Sequence, residues 1–304
     1  MRPLFYLSNK KGSSLVILAI SFVVIAGFTS LAVDFGVLAY EKNNISKASD
    51  SAALAGAQQM AEGGENVSDV VDTYLLANGV DPQEAQVEIS YDDRTVKVSV
   101  NRDVEHIFAK LIGIDQSNVL ADATVKAFPI ASAGPGVKPF AIEDMAFEYG
   151  ETYTLKQGGG DGYTGNYGCL ALGGTGSSTY ENNLKFGYDG VLEIGQIVTT
   201  ETGNMSNPTK RAIEHIIDSC SNGCTFDDHM KECPRLITVV IVDSLDVGGR
   251  SDVEIVGFAS FFLEGVGGQG NECNVTGKFV KTVATGEMSE TGEGYGLMGL
   301  KLVD

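Results

Sequence analysis

The chain has 304 residues and a mass of 32.1 kDa, long for one compact core and comfortable for two folded units. An apolar share of 43% with 20% charged residues excludes both a wholly disordered chain and a polytopic membrane protein. With 21 Lys+Arg against 40 Asp+Glu the net charge is −19, and nucleic acid is excluded as the main ligand because phosphate binding needs a basic face.

The first element in chain order is Ser13 to Val33, an apolar run without a charge. As a helix rising about 1.5 Å per residue it spans roughly 31 Å, the thickness of a bilayer's hydrocarbon core. A single segment crosses lipid only as a helix, since every backbone polar group must be satisfied internally. Arg2, Lys10 and Lys11 precede it with no acid among them, so the positive-inside rule places the N-terminus in the cytoplasm and the bulk outside. Without those three cations the remainder carries a net −22. Two rival readings are a cleavable secretory signal, with Ser30-Leu31-Ala32 as its small-x-small site, and a prepilin leader cut after Gly12. The first has too long an apolar run, and the second lacks Glu at the fifth residue after the Gly, where Ile17 stands. A retained anchor is expected.

Asp34 to Glu62 has no Pro and is rich in Ala, the strongest helix former, so the membrane helix is expected to continue outward to Gly63-Gly64. Leu38, Ile45, Ala48, Ala52 and Ala55 form a seam of mostly small side chains. It suits either close approach of another helix or packing on this chain's own sheet. Val67, Val70, Val71, Tyr74 and Leu75 predict a second helix closed by Asn78-Gly79. Alternation at Val87, Ile89 and Tyr91, a turn at Asp92-Asp93-Arg94, and alternation at Val96, Val98 and Val100 predict a hairpin with one buried face. A short amphipathic helix through Val104, Ile107, Phe108, Leu111 and Ile112, ending at Gly113, is expected next, then a strand over Ala121 to Ala127.

The segment from Lys10 to Phe128 resembles the N-terminal membrane module of TadG-like proteins of the Tad/Flp pilus-assembly system. The most specific residues are Gly12-Ser13, Leu31-Ala32-Val33-Asp34, Tyr40 and the run Ala48 to Ala57, joined by Val98 to Asp115. The resemblance implies a bitopic envelope protein associated with a pilus-building secretion machine and surface attachment, without an established enzymatic activity.

Eight Gly fall in residues 1–133 and thirty in 134–304, and all five Cys lie in the latter part. Ala131 to Gly136 reads as a linker. Beyond it, strands are expected at Phe147–Leu155, Val191–Thr199, Leu236–Val242, Val253–Leu263 and Lys278–Val283. Helices are expected at Thr179–Phe186 and at Thr209–Asp218, the latter after an Asn207 cap and Pro208. Gly165 to Gly190, Glu201 to Lys210, Cys233 to Asp243 and Gly257 to Gly265 resemble the region that follows the anchor in a Gram-positive-type subset of TadG-like chains, a resemblance that carries no chemistry. Other members have a von Willebrand A domain with Asp-x-Ser-x-Ser, a spacing that Asp243-Ser244-Leu245-Asp246 lacks.

The expected fold class is therefore α+β: one N-terminal transmembrane helix extending into a small helix-plus-antiparallel-sheet module, then a β-rich outer domain. The expected division is 1–12 cytoplasmic, 13–33 transmembrane, 34–130 an extracytoplasmic α/β module, 131–139 a Gly/Pro linker, and 140–304 the Gly-rich, Cys-containing domain.

Candidate chemistry is sparse. Cys220, Cys224 and Cys233 sit within fourteen residues, with Cys169 and Cys273 distant. Outside the membrane, disulfides are the expected use of these five, one remaining unpaired in the chain. Zinc held by the three thiolates with His229 or Cys273 is the sharper alternative, weakly supported by the spacing. The Gly158 to Gly176 run lacks the Gly-Lys-Ser/Thr ending of a phosphate loop, and Asp161 lacks the ladder of ligands that Ca²⁺ needs. His106, His215 and His229 form no motif with a nucleophile, and His106 is expected to be exposed or to cap the short helix. No catalytic residue, metal ligand or cofactor is assigned.

Asp34, at the outer end of the anchor, either reaches interfacial water or pairs with a cation on a neighbouring membrane helix during assembly. The expected partners are the lipid bilayer and other membrane subunits of a pilus or secretion assembly, with homo-oligomerisation open. The expected role is non-enzymatic. A stand-alone surface adhesin, or an envelope metal-binding protein or hydrolase, are the alternatives.

Overall fold

A computed structural model of the protein describes residues 11–156, 166–203, 205–268, 273–292 and 294–303. The chain is mixed α+β, with a long apolar N-terminal helix and a β-rich second part. Helix α1 runs unbroken over Lys11–Ala61, about 76 Å at 1.5 Å per residue. Its continuity follows from the absence of Pro and from the Ala-rich second half. Helix α2 (Val67–Ala77) folds back against it, and β1 (Ala85–Ser90), β2 (Thr95–Glu105) and β3 (Gln116–Pro129) form an antiparallel sheet beneath both.

The two halves of α1 live in different surroundings. From Ile45 onward, Ala48, Ala52, Ala53 and Ala57 are fully buried against Val67, Val71 and Leu75 of α2 and Val96, Val98, Val100, Ala123 and Val125 of the sheet. The small-residue seam therefore packs on this chain's own sheet, the second of the two readings the sequence left open. Small side chains let the helix lie close. A Cβ at Gly56 would come within 2.6 Å of the Val71 Cγ2. Arg102 adds a polar clamp, reaching Glu41 of α1 at 3.0 Å, Glu84 at 2.6 Å and the Gly79 carbonyl at 3.1 Å.

The expected helix over Val104 to Ile112 is corrected. β2 and β3 stay in register from Thr95↔Lys126 to Glu105↔Gln116, so Val104 belongs to the strand, and only one 3₁₀ turn, Ala109–Ile112, follows before Gly113 in the left-handed region. Val104 is buried with the strand, whereas Leu111 and Ile112 of the turn are 85% and 78% exposed. His106 is corrected too: it is buried, with Nε2 2.8 Å from the Ser117 hydroxyl.

The second part begins with β4 (Ser132–Ala133), β5 (Ala141–Glu143), β6 (Thr152–Lys156) and β7 (Asn166–Leu170), then α3 (Ser177–Phe186), β8 (Leu192–Glu193), β9 (Ile197–Thr202) and α4 (Ser206–Asp218). It continues with β10 (Leu236–Val242), β11 (Asp252–Gly267), β12 (Asn274–Val280), β13 (Thr282–Val283) and β14 (Leu297–Leu302). The expected strand from Phe147 shortens to β6 because the Phe147 ring stacks on Phe279 at 4.0 Å instead of entering the ladder. The strand expected at Val191–Thr199 is split by Gly195, which takes φ +84°. Helix α4 starts at Ser206 rather than Thr209, so Pro208 lies in its first turn and not at its first position.

A seven-stranded sheet, β5-β10-β11-β12-β6 with β9 and β7 joined at the edge of β11, forms this part. β11 is its axis, pairing with β10, β12 and β9. Ala259, Phe261 and Leu263 of β11 pack with Tyr180 and Leu184 of α3 and with Ala212, Ile213 and Ile216 of α4. Ile255 and Phe258 join Leu170, Leu172, Val240 and Val242 in a separate cluster. Gly277 of β12 makes room for the Phe261 ring, with which a Cβ at that position would collide. The last of these strands leaves the second part: β14 pairs antiparallel with β3, from Met298↔Pro129 to Leu302↔Val125, and parallel with β13.

Because Ala52 is completely enclosed while Leu54 is 44% exposed two residues away, Ala52→Leu is expected to cost about 1–3 kcal/mol by overpacking. Leu54→Ser is expected to change little. Thermal unfolding of the detergent-solubilised full chain reads the difference.

Candidate functional site

Among the described residues one helix is long and apolar enough to cross a membrane, and none of its most apolar window is buried. Leu15, Phe22, Phe28 and Leu31 are all about 70% exposed, so the first half of α1 shows apolar side chains all round. That pattern has no solution in water and needs an apolar surround. Lys11 begins the described helix; Arg2 and Lys10, used for orientation, lie outside the described residues.

Asp34 marks the change of surroundings. It is 4% exposed. Its Oδ1 accepts from the Ile107 N–H at 2.8 Å and its Oδ2 from the Ala109 N–H at 2.7 Å, and the Phe108 N–H reaches both oxygens at 3.2 Å. Three otherwise orphaned backbone donors at the start of the 3₁₀ turn are thereby satisfied by one carboxylate. Burial pushes the Asp34 carboxyl pKa up; the N–H groups of Ile107, Ala109 and Phe108, helped by His106, outweigh it and hold the pKa below its usual value. The tether fixes the β2–β3 connection at the level where the apolar run of α1 ends. Ile107, Phe108, Leu111, Ile112 and Ile114 of that connection are exposed, as is Phe35 of the helix.

A second constellation lies in the loop between α4 and β10. The sulfurs of Cys220, Cys224 and Cys233 all lie within 4.8 Å of one another, with Cys220 and Cys233 3.7 Å apart. None of the three sulfurs stands at bonding distance from another in this arrangement. Cys220 follows the last turn of α4, Cys224 follows Gly223 at φ +63°, and Cys233 precedes β10. Backbone N–H groups of Cys224 and Asn222 point at the Cys220 sulfur and bring its pKa down, whereas burial pushes the Cys233 thiol up to about 11. Arg235 braces the loop by donating to the carbonyls of Cys224 at 2.8 Å and Leu263 at 2.8 Å, with its guanidinium 4.7 Å from the Phe262 ring centroid. Lys231 of the same loop meets Glu62, just past the end of α1, at 3.0 Å.

The other two cysteines stand apart from this trio. Cys169 is fully buried, its sulfur 3.3 Å from the Tyr180 hydroxyl, and burial raises its pKa to about 11. Cys273 is buried in the same neighbourhood, under the influence of Lys156 and Lys210. His215 sits edge-on to Phe186 and His229 beside Phe262, so the three histidines occupy three separate places. Asp161 and residues 158–165 of the Gly-rich run lie outside the described residues. What sequence reading missed was the partner of Asp34, since nothing in a local pattern links it to backbone donors more than seventy residues away.

Residues 12–59 match the Tad family model, described as "Putative Flp pilus-assembly TadE/G-like". The match falls within α1 and takes in both its exposed half and nearly all of the seam packed on the sheet. The N-terminal segment is thus similar to TadE/G-like Flp pilus-assembly proteins, a likeness that supports a pilus-assembly-related role. No curated protein and no solved structure matches the chain.

Asp34→Asn keeps the shape and removes the charge, so it is expected to loosen the connection and raise amide hydrogen exchange at Ile107, Phe108 and Ala109. Because the folded pKa lies below the ordinary carboxylate value of 3.8, the carboxylate stabilises the fold above that pH. The stability difference between the unaltered chain and the Asp34→Asn variant is expected to be full at neutral pH and to shrink as pH falls through and below 3.8. Denaturant titrations across pH measure it.

Proposed function

We propose that the protein is a single-pass envelope component of a Tad/Flp-type pilus or secretion assembly, with its short N-terminus in the cytoplasm and its bulk outside. Its role is structural rather than enzymatic, with surface attachment as the accompanying activity. The observation that carries this reading is the change along α1 between Asp34 and Ile45, from a rod exposed on all sides to a helix packed on a sheet, within the stretch that matches the Tad family. In this reading residues 13–33 sit in lipid and residues 34–130 form the module at the membrane surface. A linker at 131–139 leads to the outer region at 140–304, from which β14 returns to the module's sheet. The exposed apolar residues of the β2–β3 connection, held level with the end of the span by Asp34, rest in the headgroup region as a second contact with the bilayer. An acidic exterior keeps the rest of the protein off anionic lipid.

Protease digestion of intact and of opened membranes, read by mass, tests the topology. The expected result is a protected N-terminal fragment ending shortly after the span and degradation of the remainder from the outside only. Recovery of the intact chain in the soluble fraction without detergent overturns the reading. Cross-linking followed by co-purification is expected to bring down other pilus-assembly membrane subunits; a chain that recovers none of them is a stand-alone binding module.

A further inference from the structure

The loop between α4 and β10 is long, and between Cys220 and Leu236 it contains no helix or strand. Loops of this length without internal structure are uncommon in folded domains and are usually functional or fastened. Its interior is a small cluster: Cys224, Cys233 and Phe262 buried, with Cys220, Phe226, Leu236 and Val280 packed around them. Three of these seven residues are cysteines, and they converge from three separate points of the loop. Too little apolar surface is present to hold the segment by burial alone.

The sulfur geometry distinguishes between the two fastenings that cysteines offer. A disulfide needs about 2.05 Å between two sulfurs and uses them in pairs. The separation of 3.7 Å between Cys220 and Cys233 instead matches the edge of a tetrahedron of thiolates about 2.3 Å from a common centre, an edge of about 3.8 Å. All three sulfurs share that neighbourhood within 4.8 Å. Independently, backbone N–H groups of Asn222 and Cys224 aim at the Cys220 sulfur and that of Arg235 aims at Cys233. Donors turned toward sulfur are the outer support that thiolate ligands need. The Gly223 φ of +63° permits the tight turn that brings Asn222 and Cys224 back to Cys220.

A further feature favours a cation at this point. Cys220 sits at the C-terminus of α4, where the helix presents unsatisfied carbonyls and partial negative charge.

We propose that Cys220, Cys224 and Cys233 form a structural site for a thiophilic d¹⁰ cation, zinc in the first instance, held by the three thiolates. Binding exchanges the three thiol protons for the metal, and no electron is transferred. The consequence is local rigidity: the loop that carries Lys231 to Glu62 is fixed, and with it the contact between the second part of the chain and the end of α1.

The test uses the detergent-solubilised full chain, isolated without chelator and without added reductant. The expected result is about one zinc per chain, with three of the five thiols shielded from alkylation until a chelator is added. Replacement of zinc by cobalt is expected to produce sulfur-to-metal charge-transfer absorption. Cys220→Ser, Cys224→Ser and Cys233→Ser each lose the metal, while Cys169→Ser retains it. If a serine variant fails to fold, the cobalt spectrum and thiol shielding of the unaltered chain still decide. A disulfide mapped between any two of the three cysteines, or a chain without metal whose thiols all react at once, overturns the site.

Discussion

A backbone in lipid and a backbone in water obey different rules, and α1, read as a membrane anchor, must satisfy both without a break. In its first half every side chain can be apolar because the helix ladder leaves no polar group unmet. In its second half the same helix has to present one narrow face of small residues to a sheet and leave the rest to solvent. The transition begins at Asp34, whose carboxylate is occupied by the backbone of a connection that would otherwise have three idle donors, and is complete at Ile45. The same contact that ends the apolar run therefore also positions the first piece of folded protein against it.

From that point the architecture follows by successive burial. The seam of Ile45, Ala48, Ala52 and Ala57 seats α1 on β2 and β3, α2 closes the other side, and the Arg102 clamp holds α1, β2 and the α2–β1 connection together. The second part grows around β11, whose run of buried residues is sandwiched between α3 and α4 and the strands opposite. The two parts touch through Lys231 and Glu62 and through β14.

Much of this was legible in the sequence wherever a periodic pattern coincided with an element. The uncharged run from Ser13 to Val33, the 3.6-residue repeat at Val67 to Leu75, the alternation around Asp92-Asp93-Arg94, and the β-branched stretch of Leu236–Val242 all read directly. The failures share a cause: the deciding partner lay far along the chain. Ile107, Phe108, Leu111 and Ile112 have helical spacing, yet no apolar face of this chain meets them, so the strand pairing took Val104 and the rest became an exposed turn. The run from Phe147 lost its first half to ring stacking on Phe279. Asp34 offered two readings as an isolated acid and neither as a cap. The convergence of Cys220, Cys224 and Cys233 could be suspected from spacing, but the approach of three sulfurs to within 4.8 Å of one another belongs to tertiary structure alone. β14, six residues with a Gly in the middle, gives little local signal of a strand and is held by β3.

That strand has a bearing on how the polypeptide matures. β3 is threaded early and its neighbour β14 only long afterwards, so one margin of the anchor-bearing sheet stays open while the intervening chain is made. An open margin invites pairing with any extended segment nearby, including that of another nascent copy. A product clipped ahead of Leu297 would keep its hold on the bilayer and expose this margin permanently. Residues 297–302 thus act as the seal by which a mature molecule differs from a sticky, incomplete one.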